Sequence, residues 1–182
     1  MGFINALLDK IRGEQDLKKL INRGLKIGKN FKRMGGCIID PSHCWHIEIG
    51  NDVTLAPRVH ILAHDTSTKN FLNHTRVAAV VIEDNVFIGA GAIILPGVTI
   101  GRNTIIGAGS IVSGKIAPDS VYAGNPARFI CKLEDYLNKE KARMHDDNTF
   151  DASFTLRNKS FNQSHVAKMK ESCDKYGKIY VE

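Results

Sequence analysis

Cysteine is scarce in this chain, and the cysteines it has are not paired. Cys37, Cys44, Cys131 and Cys173 form no C-x-x-C motif. That absence points to reduced thiols in a cytoplasmic protein. A long apolar run is also missing, so the sequence offers no membrane-spanning helix. There is a single tryptophan, Trp45, and no nucleic-acid-binding motif accompanies the net charge of +6. A surplus of that size suits an anionic ligand such as a nucleotide phosphate.

What the chain does have is a period of six. The stretch Ile88-Gly89-Ala90-Gly91-Ala92-Ile93 returns as Ile106-Gly107-Ala108-Gly109-Ser110-Ile111. Ile82, Ile88, Ile94, Ile100, Ile106 and Val112 form one unbroken series, and Ile49, Leu55 and Ile61 an earlier one. Helices repeat at 3.6 residues and strands at 2, so neither explains it. A solenoid does, because hexapeptide repeats signal a parallel β-helix. Three faces of six residues close a coil of eighteen, which stacks Ile88 on Ile106 and Ile94 on Val112. Small or β-branched residues four places after the anchors, from Val53 and Val59 to Ser110 and Ile116, also point inward. Gly50, Gly89, Gly101 and Gly107 beside the anchors suit tight corners with φ > 0.

The two series are out of phase. Ile49 and Ile82 open similar segments and lie 82 − 49 = 33 residues apart, one coil of eighteen plus fifteen extra. The extra residues must leave the prism as a loop, over about 67–81. Long loops on rigid scaffolds are disproportionately functional. His64-Asp65 stands immediately before this one.

The ends of the chain are less regular. Residues 1–24 read as an amphipathic helix, with Phe3, Ala6, Leu7, Lys10 and Ile11 along one side. Packing on the prism is its first reading, and reversible attachment to a membrane face its second. Leu25, Phe31, Cys37 and His43 carry the sixfold spacing backwards from Ile49 and predict degenerate first coils. The repeat domain is thus expected over 25–130. A helical extension follows over 131–182, with helices at 132–144 and 161–176 and a short strand at 178–181.

The segments Ile94-Leu95-Pro96-Gly97-Val98-Thr99-Ile100-Gly101, Ile106-Gly107-Ala108-Gly109-Ser110 and Tyr122-Ala123-Gly124-Asn125-Pro126-Ala127-Arg128 resemble the hexapeptide-repeat acyltransferases. The similarity covers about residues 45–130, and the combination is that of the maltose, galactoside and capsular-sugar O-acetyltransferase branch. The resemblance implies a left-handed parallel β-helix, an exception to the usual right-handed crossover. It also implies a homotrimer with acetyl-CoA, the cosubstrate, in the cleft between adjacent prisms.

Acetyl transfer to a hydroxyl needs a base, and histidine suits that task at neutral pH. By resemblance His64 holds the position of the family's catalytic histidine. Asp65 either orients the imidazole or ties down the loop base; neighbouring side chains on a strand point to opposite sides, which favours the loop. The positions matching the family's CoA contacts are Ala90, Ala108 and Ser113. Lys115 is displaced by one place from the family's lysine. Arg128 and Lys132 match its basic positions and are candidates for the adenosine phosphates. Counting from Ile61 places His64 in one column with Gly97 and Lys115, and with His46 one coil earlier. The family's acceptor-binding asparagine has no counterpart. Asp40, His43 and Trp45 are the replacements available near the site, and Lys69, Asn70 and His74 on the loop complete the acceptor candidates.

The expected activity is acetyl-CoA-dependent O-acetylation of a sugar hydroxyl in surface polysaccharide biosynthesis, without a metal. N-acetylation of an amino sugar or small xenobiotic is the first alternative. The second is a γ-type carbonic anhydrase, which shares the prism but needs three histidines around zinc. His43, His46, His60, His64 and His74 are the histidines within reach.

Overall fold

The computed structural model describes residues 15–182. The apolar face read over residues 3–11, with both of its readings, lies outside them. The described part of the N-terminal segment holds a short helix, α1 (Leu17–Asn22), whose N-cap Asp16 accepts from the backbone of Lys18 and Lys19. The chain divides into two compact units, the second being Asp135–Glu182.

The first unit is a parallel β-solenoid. Its strands fall into three sheets visited in strict rotation. The first face holds Lys26–Ile27, Ile47–Ile49, Val80–Ile82, Thr99–Ile100 and Lys115–Ile116. The second holds Lys32–Arg33, Thr54–Leu55, Phe87–Ile88, Thr104–Ile106 and Ser120–Ala123. The third holds Ile38–Ile39, His60–Ile61, Ile93–Ile94 and Ile111–Val112. Ile88 pairs with Ile106 and Ile94 with Val112, the stacking expected from the repeat. Ile49 pairs with Ile82, so the fifteen extra residues do leave the prism between them.

The interior is a column of aliphatic anchors. Ile61, Ile88, Ile94, Ile100, Ile106 and Val112 are each 0% exposed. The second inward set is equally sealed, from Val53 and Val59 to Ser110. The prism is too narrow for rings, and branched aliphatics at strand spacing fill it without gaps.

Three sequence expectations need correction. The first coil is not in phase with Leu25, Phe31, Cys37 and His43. Its register partners are Ile27 with Ile49, Arg33 with Leu55, and Ile39 with Ile61, each 22 residues apart (49 − 27, 55 − 33, 61 − 39). Leu25 and Cys37 are still buried, because they fill the second inward set. Four residues inserted after Ile39 shift the count. Gly50, Gly89, Gly101 and Gly107 are not in the left-handed region either. They are needed because coils touch there: a Cβ on Gly89 would lie 2.4 Å from Ala108 N, and one on Gly101 2.5 Å from Pro118 N. Finally, Lys115 does not stack on Gly97. It pairs with Thr99 on the first face, because the corner from Val112 to Ile116 is two residues short.

The positive backbone angles fall on other residues. After the first face, Asn30, Asp52, Asn85, Asn103 and Asp119 all adopt φ between 53° and 56°. Asparagine and aspartate tolerate this region best among residues with a side chain. Their side chains also bond along the stack, Asn30 to Asp52, Asn85 to Asn103 and Asn103 to Asp119. The last coil is closed by Arg128–Lys132, which turns back antiparallel on Ser120–Ala123 and covers the open sheet edge.

In the second unit Thr149–Phe150 pairs in parallel with Tyr180–Val181. A long helix (Gln163–Tyr176) is closed at its start by an Asn162–His165 capping box and ends at Gly177 in the left-handed region. The helix Leu133–Lys141 spans the boundary between the two units. Among the described residues, no helix is long and apolar enough to cross a membrane.

Candidate active site

The site is built where two coils turn from the third face to the first. In the lower coil the chain leaves Ile39 and makes a ten-residue corner (49 − 39 = 10) before Ile49. Asp40 starts that corner. Its Oδ1 accepts from the backbone of Ser42 and His43, at 3.0 and 3.1 Å, and so folds the turn onto itself. A 3-10 turn, Cys44–His46, then returns the chain, with Cys44 buried.

In the coil above, the same corner carries His64. The Oδ2 of Asp40 accepts from Ala63 N at 3.0 Å and from His64 Nδ1. Asp40 is 1% exposed, so an ionised carboxylate there is tolerable only because four donors surround it. Burial by itself raises its pKa. The bond from His64 and the backbone N–H groups of Ala63 and Ser42 outweigh burial and hold the carboxyl below its ordinary value. An ionised Asp40 fixes the His64 tautomer with the proton on Nδ1, which leaves Nε2 as the basic nitrogen. The His64 side chain is 27% exposed, so the ring is anchored at one end and open at the other.

His43 packs against this pair. Its ring centroid lies 4.7 Å from that of His64, and Trp45 follows at 5.4 Å from His43. Trp45 is half exposed. Among the described residues, Asp40, His43 and His64 have ligand-capable atoms all within 4.8 Å of one another.

From His64 the excursion opens. His64–Asp65 pairs antiparallel with Arg76–Val77, and the short helix Lys69–Leu72 crosses the tip. The excursion therefore begins at His64 and rejoins the prism at Val80, a few residues wider at its start than the sequence suggested. Asp65 accepts from Ser67 N at 2.8 Å and pairs with Arg76. Those bonds, Ser67 N first, lower its pKa to about 2.

These contacts redistribute the roles read from sequence. The carboxylate on the imidazole is Asp40, not Asp65. Asp65 is committed to the loop stem, as strand alternation favoured. Asp40 in turn is too buried to touch an acceptor. His46 does not stack beneath His64; the four-residue insertion puts Asp40 and His43 there instead. Trp45 is at the site, while Lys69, Asn70 and His74 sit at the tip, where His74 Nδ1 donates to Leu72 O at 2.6 Å. The signal for Asp40 and His43 was the interval from Ile39 to Ile49, which the backward count in sixes concealed.

The remaining candidates lie on two separate corners and on the closing strand. Ser113 and Lys115 are exposed on the same corner as His64 or just beyond it. Ala90 and Ala108 are exposed on the corner before the third face, with Gly91 and Gly109 at φ 69° and 68°. A Cβ on Gly91, Gly109 or Gly114 would meet nothing within 4 Å, so these corners face open space. Arg128 and Lys132 are exposed on the closing strand. One protomer therefore does not bring Ala90 and Ala108 to His64: the width of the third face separates them.

Comparison with known proteins agrees with this architecture. Residues 79–114 match the family described as bacterial transferase hexapeptide (six repeats). The galactoside O-acetyltransferase of Escherichia coli is 38% identical over 117 residues, covering 61% of this chain and 55% of that protein. A 2,3,4,5-tetrahydropyridine-2,6-dicarboxylate N-acetyltransferase of Clostridium perfringens is 45% identical over 67 residues, 37% of this chain and 28% of that one. A hexapeptide-repeat acetyltransferase from Vibrio cholerae, solved with acetyl-CoA, superposes with a TM-score of 0.51 at 24% identity, covering 68% of this chain and 81% of that one. The chain spans about half the length of the curated relatives it first matches. The resemblance to hexapeptide-repeat acetyltransferases stands, and the relatives include both O- and N-acetyltransferases.

Proposed function

We propose that the chain is an acetyl-CoA-dependent acetyltransferase that acts on a sugar hydroxyl, with His64 as general base. The observation that carries this reading is the His64–Asp40 pair. A buried, fully bonded carboxylate holds one imidazole nitrogen and leaves the other basic. In the transfer, the acceptor oxygen attacks the thioester carbonyl and its proton passes to His64 Nε2. The carbon–sulfur bond then breaks, and the departing thiolate takes the proton back. A base placed in this way contributes roughly 10²–10⁴-fold. Asp40 acts through His64 by fixing its tautomer and stabilising the imidazolium.

The separation of the glycine corners from His64 supports a site completed by a second chain, and the family resemblance makes that assembly a homotrimer of left-handed prisms. In such an assembly, Ala90 and Ala108 of one prism face His64 of the next across a cleft. The open corners at Gly91, Gly109 and Gly114 leave room there for the donor's extended arm. Arg128 and Lys132 are then the cations for its phosphates, Ser113 and Lys115 line the wall, and Trp45 and the excursion form the acceptor side. The O-acetyl reading follows the longer alignment to the galactoside enzyme; a surface-polysaccharide unit is the acceptor class proposed with it.

The test is thiol release from acetyl-CoA with sugar, amino-sugar and aminoglycoside acceptors. His64→Ala is expected to lose transfer by about 10²–10⁴-fold while still binding CoA. Transfer at the wild-type rate in that variant removes His64 as the base. Turnover of amino-sugars alone moves the function to N-acetylation.

A further inference from the structure

We propose that Asp40, His43 and His64 form a binding site for one Zn²⁺ ion. For its consequence, the inference rests on the reading of His64 as the base: an ion on His64 withdraws that residue from acetyl transfer, so the site is a regulatory one.

Three observations carry it. First, the donor set is a carboxylate and two imidazoles with ligand-capable atoms within 4.8 Å of one another. Two histidines and a carboxylate with one open position is an arrangement zinc accepts. Tetrahedral zinc with bonds of about 2.1 Å spaces its ligands by roughly 3.4 Å, so side-chain movements of about an ångström close the set. Second, His43 Nδ1 is buried and has no hydrogen-bond partner. A ring nitrogen sealed from water costs free energy when nothing pairs with it, and in the tautomer that leaves this nitrogen unprotonated a cation takes its lone pair where no proton donor is present. Third, Asp40 is held by the backbone N–H groups of Ser42, His43 and Ala63. Such outer bonds orient a ligating carboxylate and keep it in place when an ion arrives.

The arrangement differs from the three-histidine zinc site considered from the sequence. His60 lies on the third face, His74 bonds to Leu72 O at the tip of the excursion, and neither belongs to the cluster. The ion displaces the His64–Asp40 hydrogen bond and coordinates in its place.

Zinc binding is read directly, by competition with a chromophoric chelator and by metal analysis after gel filtration, without acetyl-CoA. One Zn²⁺ per chain is expected, at least tenfold weaker in His43→Ala and unchanged in His74→Ala. Where His43→Ala fails to fold by thermal unfolding, His43→Gln replaces it, with the same loss expected. Sub-stoichiometric zinc in the wild type, or equal affinity in a folded His43 variant, overturns the site. In a second arm, zinc lowers acetyl transfer at least tenfold and a chelator restores it. Zinc that binds as described while transfer continues leaves the site standing and overturns His64 as the base.

Discussion

The corners of the prism fall into two kinds. Between the first and second faces the anchors are always six residues apart: 27 to 33, 49 to 55, 82 to 88, 100 to 106 and 116 to 122. Between the second and third they are also six apart throughout: 33 to 39, 55 to 61, 88 to 94 and 106 to 112. The third corner takes 10, 21, 6 and 4 residues on successive passes (49 − 39, 82 − 61, 100 − 94, 116 − 112). All the length variation of the solenoid is confined to one edge. Two corners are fixed because neighbouring coils touch there, as the contacts of Gly89 with Ala108 illustrate. The variable corner is free to extrude chain, and the two long passes are consecutive. That stacking puts Asp40 and His43 against His64. The regular coils supply rigidity, and the irregular edge supplies the titratable groups.

If that division is real, the core and the edge should fail in different ways. The largest loss of stability is expected in the core. Ile94 is fully buried between His60–Ile61 and Ile111–Val112, so Ile94→Ala leaves a cavity that neighbouring coils cannot collapse into. It should cost about 2–5 kcal/mol by denaturant unfolding, with the His64 geometry intact in whatever fraction stays folded. A folded variant that keeps its stability but loses transfer would erase the distinction between scaffold and site.

Asp40→Asn sits between the two kinds. The amide keeps the shape but carries no charge, and its one oxygen cannot serve every donor that the carboxylate serves. A loss of roughly 1–3 kcal/mol is expected, together with a lower transfer rate. The pH dependence has a definite sign. The folded-state pKa of Asp40 is lowered, so its contribution is present above the ordinary carboxylate value, about 3.9, and is lost as pH falls through the folded value. The stability gap between wild type and Asp40→Asn should therefore close on acidification below about pH 4. A gap that stays constant down to pH 2 would show that Asp40 contributes through shape alone.

The same division decides what was legible in the sequence. The core was legible because burial in a narrow prism demands an aliphatic residue at fixed intervals, and Ile82 through Val112 declare that interval without interruption. The excursion was legible as an arithmetic excess between Ile49 and Ile82. His64 stood at its base. Asp40 was visible as a residue but not as the partner of His64. That contact is made between coils, and its register depends on a four-residue insertion that Leu25 and Cys37 masked by being apolar at sixfold spacing. The corner glycines were legible as necessary but for the wrong cause, since close approach of backbone and positive φ leave the same residue in the sequence.

The smallest effect is expected at the stem of the excursion. Arg76 pairs with Asp65 at the surface, where the arginine side chain is 66% exposed and the carboxylate 32%. Exposed pairs are screened by water and salt, so Arg76→Ala should move the melting temperature by no more than about 2 °C. Its effect should be local. Asp65 would keep its bond from Ser67 N, but the return strand Arg76–Val77 would lose its tie at the point where the excursion leaves His64. Faster proteolytic nicking between residues 67 and 75 is the expected signature, with the prism core as protected from hydrogen exchange as in the wild type. Loss of protection in the core at Ile61 or Ile82 would mean that the excursion is part of the scaffold, and that the variable edge is not free of the coils it interrupts.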